Sequence, residues 1–427
     1  MSSRWSRRAR AGLFPVAAAS LRRIPPRLLP AYGLIFIAGI VQSALAPLGP
    51  LYAQQLHLSR VQLGELFAAS GFSTLLVVLP IGLFSDRIGS RRLSVGAAWL
   101  IAVSSVGQGL AHAFWLLLVS RAVFGIAFGT VWTAAVAYLS DSGAVEGRSV
   151  RLGATIPVSG VAVSIGPAFA GVLAAQAGVG IPFALIAAAA VLIAVALSRW
   201  PVLTPPVTRA AVSSASMWRS ARRGRLVVAP VVIMVIAGLT NSVTNLLVPI
   251  QLRANGVSIN AISVLLAVAA ILYILASVSV SRLGARAATV RAAGFATLAM
   301  GASLALPVSA GTTVPLGAFV LVRSSLHATM TTIAYPIAAA AGEAAGVGAA
   351  TALGFTNAGW ATSSVVGPLV AGAIAQSAGN RAAFAALVPL TLVAAAWLLL
   401  GGRSVDRRAT TAGANRPPPG PAVDRGT

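Results

Sequence analysis

Long apolar runs, each about the length of a membrane crossing, alternate along this chain with short stretches of Arg, Pro and Gly. A helix needs about 20 apolar residues to cross the hydrocarbon core. Runs of that order fall at 30–52, 61–84, 93–112, 114–139, 150–177 and 180–198, and again at 226–251, 259–281, 288–309, 314–341, 346–375 and 382–402. No period-two alternation of the kind that marks a closed barrel is present. The pattern predicts an all-α integral membrane protein with twelve transmembrane helices in two six-helix bundles, 30–199 and 226–402. Residues 200–225, rich in Pro, Ser and Arg, read as a cytoplasmic linker between the bundles. Residues 1–29 read as a basic cytoplasmic tail lying against anionic lipid, although Arg without acidic residues also suits a transit peptide. Residues 403–427, with a Pro run, read as a disordered cytoplasmic tail.

Composition supports the membrane and removes other classes. The chain of 427 residues is 57% hydrophobic and 9% charged, against roughly 25% charged in soluble domains. Its 31 basic residues are all Arg, set against 7 acidic ones, for a formal charge of +24. Such a balance can signal nucleic-acid binding, but these Arg residues lie between apolar runs rather than among stacking aromatics, so no nucleic-acid partner is expected. There is no Cys, which excludes disulfides, thiolate metal sites and Cys nucleophiles. With the N-terminus inside, 26 Arg residues fall on the cytoplasmic side, and Arg60, Arg253 and Arg381 alone on the other. The positive-inside rule then places both termini in the cytoplasm. Abundant Ala, Gly and Arg without Lys suggests a GC-rich bacterial genome, hence the bacterial inner membrane.

The two bundles repeat. Ile165-Gly166-Pro167-Ala168-Phe169-Ala170-Gly171 matches Val366-Gly367-Pro368-Leu369-Val370-Ala371-Gly372, with Gly178 and Phe183 recurring as Gly379 and Phe384. Arg121 aligns with Arg323 and Asp141 with Glu343, and the segment from Asp86 to Arg91 is echoed from Ser281 to Arg286. Repeated bundles suggest a transporter with a midplane site between them.

Between the second and third runs lies Gly82-Leu83-Phe84-Ser85-Asp86-Arg87-Ile88-Gly89-Ser90-Arg91-Arg92-Leu93. Gly82 permits close helix approach, Gly89 a tight turn, and Asp86 is an anion able to cap a helix or pair with a nearby Arg. This segment resembles the loop signature of the major facilitator superfamily, departing from it at Phe84 and Ser90. The resemblance implies two bundles working by alternating access, with Gly82, Asp86, Arg87, Gly89, Arg91 and Arg92 as a gating loop. Arg121, Gly125 and Gly129 are similar to the family's helix-4 motif, whose Arg is implicated in proton coupling or in anchoring helix 1. A purely packing Arg fits the same residues, since a charge at mid-membrane costs about 2.5–3.5 kcal/mol on insertion scales and turns toward protein or water. Gly166, Pro167 and Gly171 partly match the motif of the family's antiporters, with Ala162 and Ala170 in place of two glycines. That tilts the expected direction toward export.

Candidate cavity residues come from polar groups inside the runs. Arg323 and His327 lie one turn apart, with Thr331 and Tyr335 continuing the stripe at i+4 steps. The pair can bind an anion, His327 can carry a coupling proton, or His327 can be a satisfied residue of the bundle. Gln42, Asn241, Asn245 and Asn357 are further cavity candidates, or interhelical contacts. The acidic residues are Glu65, Asp86, Asp141, Glu146, Glu343, Asp406 and Asp424, none deep in a span. A strongly cationic substrate therefore lacks an obvious deep counter-ion. No Walker-type loop is present. The expected activity is secondary transport of a small organic compound by a monomer in lipid, with no cofactor beyond the proton gradient that drives export. Uptake of an organic anion by proton symport, or a membrane sensor that no longer transports, are the alternatives.

Overall fold

The structure, a computed structural model, describes residues 25–142, 151–152, 154–199, 227–283, 288–309, 311–345 and 349–414; at 79, 82–87, 141, 349–351 and 401–414 it describes the backbone alone. The described residues form helices throughout. In the first half these are α1 (Leu29–Gln55), α2 (Arg60–Ile88), α3 (Ser90–Gly109), α4 (Phe114–Thr130), α5 (Thr155–Ala177) and α6 (Gly180–Arg199). Helix α4 continues through a π-helical turn, Val131–Ala135, into Val136–Asp141. The second half holds α7 (Val228–Ala254), α8 (Ile259–Leu283), α9 (Val290–Ser303, extended by Ala305–Ser309), α10 (Thr313–Ala344), α11 (Ala349–Ala378) and α12 (Asn380–Ala385 and Leu387–Ala414). Among the described residues, ten helices are long and apolar enough to cross a membrane. Helices α3 and α10 are at least as long as the shortest of these but carry more polar residues. In α3, buried Ser94, Ser104 and Gln108 bond to carbonyls of their own helix, three or four residues back, so burial leaves them satisfied.

Helix ends differ from the sequence reading in two places. Segment 85–92, expected as the loop between the second and third runs, is helical on both sides of one residue: α2 runs to Ile88, α3 starts at Ser90, and Gly89 alone breaks the path with φ +92°. Nothing from Ser85 to Ile88 breaks a helix, whereas the φ of +92° at residue 89 suits glycine. Helix α12 continues to Ala414, past residue 403, where a disordered tail was expected. Segment 404–414 contains no Pro and includes several helix-compatible Arg and Ala residues.

The repeat is visible in the packing. Helix α1 packs on α5, α2 on α4 and α3 on α6; α7 packs on α11, α8 on α10 and α9 on α12 in the same pattern. Across the halves α2 meets α11 and α5 meets α8, again as symmetry partners. Glycines set the α1–α5 and α7–α11 approaches. A Cβ on Gly39 would lie 2.7 Å from that of Ala162, and one on Gly238 2.7 Å from that of Ser363. A Cβ on Gly166 would strike the Ser43 hydroxyl, and one on Gly367 the Ser242 hydroxyl. Gly178 and Gly379 make the same turn twice, each at φ +86°.

Candidate functional site

The seams between the halves tighten at the end that carries the α1–α2, α7–α8 and α11–α12 turns. There a Cβ on Gly64 would overlap the Pro368 carbonyl, and one on Gly372 would lie 2.6 Å from the Arg60 carbonyl oxygen. In the other seam a Cβ on Gly171 would overlap the Ser263 hydroxyl and reach 3.1 Å from Pro47 Cβ. Polar groups clasp this end. The Arg60 backbone N–H donates to Gln376 Oε1 at 3.0 Å and its guanidinium donates to Asn380 Oδ1. Asn380 Nδ2 donates to Gln251 Oε1 at 2.7 Å, Gln251 Nε2 to Asn255 Oδ1 at 3.1 Å, and Asn255 Nδ2 to the Gly311 carbonyl at 2.7 Å. The sequence reading missed this chain because its members sit at helix ends, where polar residues are unremarkable.

Gln42 lies thirteen residues from both ends of α1, and Asn241 thirteen from both ends of α7. They are symmetry partners: each directly precedes the serine that meets a Gly of the packing helix. Gln42 is exposed although Val41 and Ala44 on α1 are buried, and Asn241 is half-buried. An exposed amide at the centre of an otherwise buried helix marks an internal cavity rather than the lipid face. Asn245, one turn further along α7, is also half-buried.

Helix α10 supplies the polar wall of the second half. Arg323 Nη1 donates to Asn241 Oδ1 at 3.1 Å, and Arg323 Nε is buried without a partner. One turn on, the His327 ring lies between Tyr273 of α8 and Trp360 of α11, with centroids 5.5 and 5.3 Å away. Its Nδ1 is buried and unpartnered. Below it, Thr331 pairs with the Tyr273 hydroxyl at 3.0 Å, and Tyr335 donates to Asn357 Oδ1 at 3.1 Å. Arg323, His327 and Thr331 are each 6% exposed and Tyr335 is 41% exposed. The predicted stripe is thus sealed toward the clasped end and open toward the far end, where Asn357 is also exposed. Tyr273 was missed because it is one polar tip in a long apolar run.

Arg121 is placed differently from its partner Arg323. It is 2% exposed inside the first half, its Nη2 donating to Ser70 Oγ at 2.9 Å and its Nη1 to Gln108 Oε1 at 3.5 Å. Its guanidinium carbon lies 5.1 Å from the Phe124 ring centroid, within cation–π range. The Tyr52 hydroxyl ties α1 to the same node through the Gln108 carbonyl at 2.7 Å. Arg121 therefore ties α2, α3 and α4 together. Of the antiporter-like residues, Gly166 lies against α1, Gly171 against α8, and Pro167 is buried. In the gating segment, Arg91 Nη2 donates to the Ser198 carbonyl at 3.0 Å, tying α3 to α6, and Arg92 is exposed. The side chains of Asp86 and Arg87, and the surroundings of Gly82, lie outside the described residues.

Known proteins give the arrangement a context. A family model described as Major Facilitator Superfamily matches residues 31–346 and 230–423. Multidrug resistance protein 2 of Bacillus subtilis is 27% identical over 161 residues, 38% of this chain and 40% of that relative. The transporter YcaD of Escherichia coli, itself described as uncharacterized, is 30% identical over 141 residues, 33% of this chain and 37% of the relative. These alignments span about two fifths of the relatives' length. A solved bacterial homolog of the human lysosomal transporter Spinster, inward-facing and unoccupied, superposes with a TM-score of 0.67 at 17% identity, covering 93% of this chain and 99% of that one. The nucleoside transporter NupG gives a TM-score of 0.67 at 10% identity over 90% and 99% of the two chains. With two helical repeats facing each other across a half-open polar cleft, and a family match running nearly end to end, the chain belongs to the Major Facilitator Superfamily.

Proposed function

We propose that this protein is a secondary transporter that moves a small organic compound out of the bacterial cell by alternating access, driven by proton antiport. The observation that carries the reading is the cleft itself: two symmetry-related glycine seams hold one end shut while the α10 stripe opens to the other. Under the orientation given by the Arg distribution, the clasped end faces outward and the open end faces the cytoplasm, with both termini inside. Export is favoured by the Gly166-Pro167 motif and by the relatives named as multidrug resistance proteins. Proton coupling is assigned to His327, a titratable group at the middle of the cavity wall.

Organic-anion uptake by proton symport is the second reading, favoured by Arg323 and His327 sharing one wall. Linkage separates the two, because a symported substrate and its proton assist each other whereas an antiported pair compete. The test is flux in proteoliposomes under an imposed pH gradient, together with substrate affinity as a function of pH. Affinity that falls on acidification supports antiport, and affinity that rises supports symport. His327→Gln is expected to flatten either profile. An unchanged profile in that variant removes His327 from coupling.

A further inference from the structure

We infer that the apex of the cleft is a binding site for an organic anion, whose carboxylate or sulfonate sits on Arg323 and whose apolar or aromatic body lies toward Trp360 and Tyr335. This inference names the substrate class for the transport reading above and rests on it only for the movement, not for the binding. Three observations lead to it.

The first is an uncompensated cation. Arg323 is 6% exposed, its one hydrogen bond among the described residues goes to the neutral amide of Asn241, and its Nε has no partner. A buried guanidinium carries a desolvation penalty of several kcal/mol unless it is paired. Its symmetry partner Arg121 also has a buried Nε without a partner, but it donates to two side chains, Ser70 and Gln108, and lies over Phe124; Arg323 has the single bond to Asn241. The second is where the carboxylates are. Among the described residues Glu65 is the acidic side chain inside a span apolar enough to cross the membrane, and it belongs to α2 of the other half. Asp141 and Glu343 end their helices. Among the described residues the wall thus holds positive charge with no carboxylate bonded to it, which repels a cation and attracts an anion.

The third is a second donor on the same face. His327, one turn from Arg323, has a buried and unpartnered Nδ1, and its ring is fixed between Tyr273 and Trp360. An imidazole held in one orientation can offer its N–H to an oxyanion without first losing freedom. Asn241 then has a specific part. Its Oδ1 occupies the guanidinium in the empty cleft, and the incoming oxyanion displaces it, because an oxyanion adds opposite charge and a second parallel hydrogen bond that a single amide oxygen cannot supply. The apolar body follows the stripe toward the open end, where Trp360 is half-buried and Tyr335 exposed.

The test uses the full-length protein in phosphatidylcholine nanodiscs, titrated calorimetrically with 2-naphthalenesulfonate, 2-naphthylmethanol and 2-naphthylmethylammonium, with empty nanodiscs as the blank. The sulfonate is expected to bind at least about tenfold tighter than either of the others. Arg323→Gln should erase that preference. Asn241→Asp should erase it as well, by giving the guanidinium a built-in carboxylate, and this variant keeps the size and partner of the native residue if Arg323→Gln fails to fold. Equal binding of the three probes, tightest binding of the ammonium, or an intact preference for sulfonate in Asn241→Asp overturns the inference. Flux decides the other question separately. Sulfonate that binds but does not cross proteoliposomes under a proton gradient defeats the transport reading and leaves the site. Flux of the ammonium without sulfonate binding defeats the site and leaves transport.

Discussion

Replacing Gly372 by Ala places one methyl group in the seam between α2 and α11. The added Cβ would lie 2.6 Å from the Arg60 carbonyl oxygen and 3.3 Å from Gly64 Cα. The first distance is about 0.8 Å short of the 3.4 Å at which ordinary contact begins, and both obstacles are backbone, which cannot swing aside. The helices must separate at that end. Overpacking of this kind costs about 1–3 kcal/mol, and it acts only on the state in which the clasped end is shut. The gain in helix propensity from Gly to Ala, roughly 0.5–1 kcal/mol, acts on both states alike and cancels from their ratio. The population should therefore shift away from this closed end by roughly 5- to 150-fold. A chain without Cys makes the measurement direct. Spin labels on Gln55→Cys and Ser377→Cys, exposed on opposite halves at the clasped end, report the opening by double electron–electron resonance. A longer-distance population should grow in Gly372→Ala, with slower net transport because one of the two required states is disfavoured. An unchanged distance distribution with wild-type flux would refute the idea that backbone contact at this seam sets the closed state.

Further predictions rest on other named contacts. Asn380→Ala removes the link between Arg60 and Gln251; at about 0.5–1.5 kcal/mol for each bond, the same spin-label pair should show the open population rising several-fold, and no change would mean that the clasp holds nothing. Arg121→Ala strands Ser70 and Gln108 and should lower thermal stability in detergent by about 1–3 kcal/mol, with Arg121→Lys restoring little because an ammonium lacks the planar fork; transport lost at unchanged stability would instead place Arg121 in coupling. Asp86→Asn should reduce flux in reconstituted vesicles while leaving membrane insertion intact, and wild-type flux from that variant would remove Asp86 from gating.

Much of the fold was legible because the membrane imposes one simple rule: every backbone polar group must be satisfied within a segment, so span length shows in hydropathy alone. The repeat was legible for a second reason. Gly166 and Gly367 stand where two helices touch, and a position that excludes a side chain survives as a recognisable letter. Side-chain chemistry was less legible. Arg121 and Arg323 occupy equivalent places in the sequence, yet one is enclosed by Ser70, Gln108 and Phe124 while the other meets Asn241. That difference depends on residues of α2, α3 and α7 far away in the chain, which no local pattern reveals. His327 shows the same limit: it replaces Gly125 of the first half, and its setting comes from Tyr273 and Trp360, brought from two other helices. The helical run from Ser85 to Ile88 reads as loop for the opposite reason, since polar letters at a membrane edge resemble a loop whether or not the helix continues.

The glycine seams bear on how the two halves move past each other. Where side chains interdigitate, one helix can slide or roll on another only by lifting each ridge out of its groove. At Gly64, Gly171 and Gly372 there is no ridge to lift, and smooth backbone faces a carbonyl, a hydroxyl or another glycine. Such a surface behaves as a bearing. It resists separation, because close contact is dense in dispersion attraction, but offers little friction to rotation about the line of contact. The terminal hydrogen bonds of Arg60 and Asn380 then act beside the seam contacts in setting which end is shut, together with whatever occupies the cleft. A cargo bound at Arg323 would sit near the axle of this motion, where a small rearrangement of charge governs a large swing at both rims.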